Sequence, residues 1–229
     1  MSFQSPCRRA PCSMADHEGF TLVELLLALC LGVGLCGAIL QILLQESQLG
    51  ARINQSLRER NQQQRTLALI RQDIQVSQRI SSDPQNEQHA CPLTGRLPVL
   101  HLSTDKGTIT YSVGAAPSSI WRGQVLMRCG PAFDLEGQLS AGSTAQNRVV
   151  IDALAAKPES WTGCADLLGG TGSAGRALDL ASSSRRPFSA CLSTAGTLIG
   201  LRLVQDLPLA QKAGQAKMSS IELIASNVS

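Results

Sequence analysis

The sequence predicts an α+β fold: a long N-terminal helix, apolar in its first half and amphipathic in its second, packed on an antiparallel β-sheet head. Three observations predict it. No charged residue interrupts the chain from Leu25 to Gln45. Apolar residues then recur at mostly helical spacing, with neither Pro nor Gly from Ala51 to Asp83. After Pro84 the period shortens toward two and turn residues multiply.

Composition bounds the function. A chain of 229 residues fits one domain with an appendage. Only 16% of residues are charged and 43% are hydrophobic, a lower charged share than the roughly 25% of a soluble domain. Aromatic residues make up 3%, too few for a platform that stacks single-stranded bases. The net charge of +3 is small for a phosphate-binding surface. No nucleic-acid partner is expected.

The apolar run, LLLALCLGVGLCGAILQILLQ, has about 21 residues and as a helix covers about 30 Å, one hydrocarbon core. Only a helix satisfies its backbone in lipid. A cleaved secretory signal would be shorter and followed by a small-x-small site. This run instead continues past Gln41 into Glu46 and a polar helix, so the span is expected to persist. Arg8 and Arg9 precede it, which keeps the N-terminus cytoplasmic and puts the rest across the membrane, in the periplasm of a diderm bacterium. Gly32, Gly34 and Gly37 allow close helix neighbours, and Cys30 and Cys36 act as small hydrophobes. Glu24 stands at the head of the run, where an ionised carboxylate is costly unless paired. Taken alone, it reads as an interfacial Glu favoured by the helix dipole.

Beyond the span, Ile53, Leu57, Leu67, Ile70, Ile74 and Ile80 mark one helical face. The continuous helix is expected from Phe20 to Arg79, about 90 Å long, with Asp83-Pro84 as the stop. Strands are expected over 97–103, 108–113, 120–129, 148–154, 197–204 and 219–225. The first two flank Asp105-Lys106-Gly107, a short hairpin signal. The Gly-, Ser- and Ala-rich stretch from Gly163 to Pro187 reads as a loop.

Four cysteines, Cys91, Cys129, Cys164 and Cys191, lie in the head and form two disulfides in an oxidising compartment. Of three connectivities, pairing in sequence order, Cys91–Cys129 and Cys164–Cys191, keeps the closed loops short. A zinc site would want a close C-x-x-C pair, which is missing. Gly170-Thr-Gly172-Ser-Ala-Gly175 fits G-x-G-x-x-G literally but lacks the flanking strand, helix and acidic residue of a dinucleotide site. His89 and His101 have no assignable nucleophile or carboxylate partner, and Arg185-Arg186 reads as a solvated pair. No catalytic residue, metal or cofactor is expected; the chain reads as a non-enzyme.

The residues around Glu24 are Gly19-Phe20-Thr21-Leu22-Val23-Glu24-Leu25-Leu26. This motif, with the uninterrupted apolar helix after it, resembles the class III signal of type IV prepilins and type II secretion pseudopilins over residues 19–44. The resemblance implies a type IV pilin-like fold and four segments: a leader over 1–19, a transmembrane and assembly helix over 20–45, its amphipathic continuation over 46–82, and a β-rich periplasmic head over 83–229. It also implies that a prepilin peptidase cuts between Gly19 and Phe20 on the cytoplasmic side and N-methylates Phe20. A Gly before the scissile bond suits this, since it has no Cβ to obstruct an extended backbone. In the family, the carboxylate matching Glu24 pairs with the N-terminal amine of a neighbouring subunit, so a charge costly in lipid sets register between subunits. Tip-type pseudopilins typically lack it. The family usually carries Lys or Arg before the Gly, where this chain has His17-Glu18. The leader is long if the start is Met1 and of usual length if it is Met14.

The helix segment Arg65-x-Leu67-x-Leu69-Ile70-x-x-Asp73-Ile74 also resembles that of PilW-type minor pilins and J-type pseudopilins, with the Arg displaced by one. The expectation is a PilW-type minor pilin that primes pilus assembly at or near the tip. Its partners would be prepilin peptidase, the other minor pilins and the major pilin, the inner-membrane assembly platform and the lipid bilayer. The alternatives are a J-type pseudopilin of a type II secretion system, among pseudopilin partners, and a bitopic periplasmic protein or enzyme with a coincidental motif.

Overall fold

The structure is a computed structural model that describes residues 21–168, 177–208 and 215–226; of these, 43–53, 207, 208, 215 and 216 are described by backbone alone. Gly19, Phe20 and the 170–175 glycine motif lie outside the described residues. The chain divides into two units, 1–53 and 54–229. In the first, Leu22–Ile42 forms 21 residues of apolar helix with none of them buried. It belongs to helix α1, Leu22–Gln75.

In the second unit the last turns of α1 pack against an antiparallel sheet of nine described strands. These are β1 (Arg79–Ile80), β2 (Leu97–Thr104), β3 (Gly107–Ala115), β4 (Gln124–Gly130), β5 (Gln146–Leu154), β6 (Leu178–Asp179), β7 (Phe188–Leu192), β8 (Leu198–Pro208) and β9 (Gln215–Ala225). Strands β1 to β5 pair in chain order. The end of β5 then joins β8 through the single pair Leu154–Gln205, and β8 lies between β7 and β9. Leu67, Ile70 and Ile74 of α1 share one buried cluster with Leu100, Leu102, Ile109, Leu126, Phe188 and Leu201 of the sheet.

The α+β class is as the sequence predicts, and six of its strands lie where alternation placed them. Asp105-Lys106 is the two-residue loop between Thr104 and Gly107, which pair directly. Three differences have local causes. First, α1 ends at Gln75 rather than Arg79. Ser77 donates its N–H (3.2 Å) and its hydroxyl (2.7 Å) to the Ile74 carbonyl. Gln78 N–H then turns to the Ser103 carbonyl of β2 at 2.8 Å, so Ile80 is buried from β1 and not from the helix.

Second, β4 begins at Gln124. Gly123 has φ +62°, a left-handed conformation that breaks extension, and Ile120 ahead of it is 79% exposed. Third, the stretch expected as a loop from Gly163 to Pro187 contains a short helix α2, Cys164–Leu167, the strand β6, and a 3-10 segment over Leu180–Arg185. The Asp179 carboxylate organises that last piece, accepting the Ser183 N–H at 2.9 Å and the Ser184 N–H at 3.2 Å.

Two disulfides close the head. Cys91 bonds Cys129 and Cys164 bonds Cys191, with Cα separations of 6.0 and 6.4 Å. The first ties the long β1–β2 connection to β4, and the second ties α2 to β7. Loops of 38 and 27 residues correspond to about 4 and 3.5 kcal/mol of unfolded-state entropy removed. Replacing either pair by Ser is therefore expected to lower stability by about 2–4 kcal/mol, read as a fall in the midpoint of urea unfolding.

Candidate functional site

The first candidate is the start of α1. Thr21 is the residue before the helix, and its side chain accepts the Glu24 N–H at 3.3 Å. Glu24 Oε2 in turn accepts the Thr21 N–H and the Thr21 hydroxyl, each at 3.0 Å. This is a capping box, the reciprocal satisfaction of two donors that a helix start leaves open. This role at the helix start is neither the dipole role nor the intersubunit role expected for Glu24, although Thr21-x-x-Glu24 is its signature in the sequence. Both bonds fall on Oε2, and Oε1 makes none among the described residues. Behind Glu24 no further acidic or basic side chain occurs through Ile42, and Leu22, Val23, Leu25, Leu26 and Leu27 are all exposed. Such a surface needs lipid or other apolar helices around it.

The second candidate lies where α1 meets the sheet. The buried face of α1 is half polar: Glu59, Gln63, Thr66 and Asp73 alternate with Leu67, Ile70 and Ile74. Leu57, expected on that face, is 56% exposed, because the face runs through Glu59 and Gln63 instead. The Ile53 side chain lies outside the described residues. Each polar residue of the face except Thr66 bonds a different part of the sheet unit. Glu59 accepts from Arg122 Nη2 at 3.1 Å, and Arg122 also lies 3.7 Å from Asp152. Bonding to Glu59 above all raises the Arg122 pKa. Gln63 donates to the Met218 carbonyl of β9 at 3.4 Å and accepts from the Ser220 hydroxyl. Exposed Arg71 pairs with Glu222 of the same strand.

Asp73 anchors the deepest of these contacts. It is wholly buried and takes a bidentate pair from Arg128 of β4, Nε to Oδ2 at 2.6 Å and Nη2 to Oδ1 at 3.1 Å. The Tyr111 hydroxyl of β3 donates to Oδ2 at 2.5 Å. Arg128 Nη1 reaches the Pro131 carbonyl at 3.1 Å, and its guanidinium lies 4.7 Å from the Phe133 ring centre. Burial, then the Asp73 charge and bond, raise the Tyr111 pKa well above its ordinary value. For Arg128 burial acts to lower the pKa, but the bond and charge of Asp73 outweigh it and the pKa is raised. Asp73 has no open path to a substrate, so the cluster fastens the helix to two strands.

The histidines do meet in the structure. His101 of β2 and His89 of the β1–β2 connection both contact Thr110 Oγ1 through Nδ1, at 2.9 and 3.2 Å. Their ring centres are 5.5 Å apart. A hydroxyl has one proton to give, so at least one ring presents Nδ1–H to the Thr oxygen. No cluster of three or more metal-ligating side chains occurs among the described residues. Burial lowers both histidine pKa values, with Glu87 opposing. The unfolded chain, with its histidines near 6.5, therefore takes up protons first as pH falls. Folded stability is full above that value and declines below it. The Glu87 carboxylate is itself held low, chiefly by the Ser81 hydroxyl, so it titrates beneath this window. The melting temperature is expected to drop between about pH 7 and pH 5, and the slope to flatten in His101→Gln.

Of the Arg185-Arg186 pair, read as solvated, only Arg185 is exposed. Arg186 is half-buried, and its Nε is buried without a partner. Its carbonyl and those of Glu159 and Ser184 gather round Arg202 Nη2 at 3.5, 2.8 and 3.1 Å. Comparisons of the chain with protein-family models, curated proteins and solved structures return no match.

Proposed function

We propose that the chain is a minor type IV pilin of the PilW type. Prepilin peptidase cuts it between Gly19 and Phe20 and methylates Phe20. The apolar helix anchors it in the inner membrane, N-terminus cytoplasmic and head periplasmic, until it joins other minor pilins and the major pilin to prime assembly at or near the pilus tip. One observation carries the reading: the motif Gly19-Phe-Thr-Leu-Val-Glu24 runs into a helix without a single buried residue from Leu22 to Ile42. The antiparallel head with its two disulfides is compatible with a pilin-like protein outside the cytoplasm.

The chemistry is structural rather than enzymatic. Cleavage leaves a positive α-amino group on Phe20, four residues ahead of Glu24 in the sequence. The capping box occupies Oε2 of Glu24; Oε1 remains to accept the amine of a neighbouring subunit. Deletion of the gene tests the role, with surface pili counted and protein secretion assayed in the same strain. Loss of pili with normal secretion supports a minor pilin. Loss of secretion with normal pili assigns the chain to the J-type pseudopilins, and normal values for both contradict either.

A further inference from the structure

Arg65 and Leu69 of α1 line a groove of about 410 Å³ together with Phe133 and with Gln146, Arg148 and Val150 of β5. Arg65 and Arg148 are exposed and make no ion pair among the described residues. Gln146 Oε1 is buried and lacks a donor. The third arginine of the groove, Arg128, is already committed to Asp73. A fitting occupant brings an anion for the two free guanidinium groups, an aliphatic group for the apolar wall and an N–H donor for Gln146. A peptide with an acidic residue beside an aliphatic one supplies all three. The segments of the head outside the described residues carry no acidic side chain: 169–176 reads GGTGSAGR, 209–214 LAQKAG and 227–229 NVS.

The chain displays such a peptide elsewhere. The turn after Phe133 presents Leu135 at 102% exposure, followed by Glu136, which is exposed and unpaired among the described residues. The turn is firmly built. Asp134 Oδ1 accepts the Gln138 N–H at 2.7 Å, and Gly137 closes it with φ +78°. Gln72 of α1 donates to the Gly137 carbonyl at 3.1 Å. Held outward in this way, Leu135 does not reach the groove of its own chain.

We propose that the groove receives the Leu135 turn of a second copy of this chain, Leu135 against Leu69, Phe133 and Val150, and Glu136 between Arg65 and Arg148. The groove is centred near Arg65 and the turn is tied at Gln72, roughly two helical turns further on. Parallel copies therefore meet through this pair only when offset along the helix. Such a contact is heterologous, leaves a free groove and a free turn at its ends, and repeats into an open array. The inference goes beyond the pilin reading and does not rest on it.

The test uses full-length chain in detergent micelles as two differently tagged populations, both with Cys7, Cys12, Cys30 and Cys36 replaced by Ser, which leaves only the four disulfide-bonded cysteines of the head. One carries Gln138→Cys beside the turn and the other Gln62→Cys at the groove. Mild oxidation is expected to join the two tags, and Lys106→Cys in place of Gln138→Cys to give no such product. Arg65→Glu with Arg148→Glu puts like charges opposite one another and should cut the product by more than about tenfold; Leu135→Asp should do the same. Adding Glu136→Lys to the turn population should restore linkage to the charge-reversed groove. A missing product, or one that survives Leu135→Asp, overturns the proposal.

Discussion

Asp73→Ala is expected to destabilise the head by about 3–5 kcal/mol, because it strands a buried cation. Arg128 is nearly inaccessible and loses both bonds of its bidentate pair, and the Tyr111 hydroxyl loses its acceptor. The attraction within the pair need not be large for this to hold. Desolvation of two ions offsets much of it, and most of the loss comes from leaving one ion buried alone. Two comparisons separate the effects. Removing both charges at once, Asp73→Leu with Arg128→Met, should recover much of the loss. Removing half-exposed Arg71, which pairs with Glu222, should cost less than about 1 kcal/mol. The measurement is the urea midpoint of the full chain. A loss below about 1 kcal/mol for Asp73→Ala would show that the cluster does not hold the helix to the sheet.

Glu24→Ala is expected to leave cleavage intact and to reduce incorporation into the filament by more than about tenfold. The capping box complicates the reading, since Ala also removes a cap worth about 1 kcal/mol. Under the proposed membrane anchoring that loss is minor, because in lipid the backbone has no alternative to the helix. Glu24→Gln separates the two roles. Gln completes a capping box as well as Glu does, but it carries no charge for a neighbour's amine. If Gln behaves like Ala, charge pairing governs incorporation. If Gln incorporates normally, Glu24 serves the helix start alone. The measurement is the ratio of filament-borne to membrane-borne subunit on an immunoblot.

The parts of the fold that follow one-dimensional rules were legible. The long uncharged run that starts at Leu25 makes most of the apolar helix Leu22–Ile42, and alternation around Asp105-Lys106 makes the β2–β3 hairpin. The cysteine pairs are those that pairing in sequence order gives. Strands β1 and β6 were not legible, because two residues are too few to show a period. Strand β7, Phe188–Leu192, follows a Ser-rich stretch that reads as loop, and all five of its residues are buried. The helix face was half legible for a different reason. Apolar spacing finds Leu67, Ile70 and Ile74, but Glu59, Gln63 and Asp73 are buried only because Arg122 ahead of β4, Ser220 of β9 and Arg128 of β4 meet them from far along the chain. A carboxylate between Ile70 and Ile74 in an apolar stripe was the available clue, since buried charges come paired. The Leu135 turn carried no such clue.

The mass of the mature N-terminal peptide, taken from the chain purified out of its native membrane, tests the central claim most directly. The account predicts a first residue of N-methylated Phe20, with residues 1–19 gone and the apolar helix still attached. A peptide that keeps residues ahead of Phe20, or one that begins after the span, would contradict it.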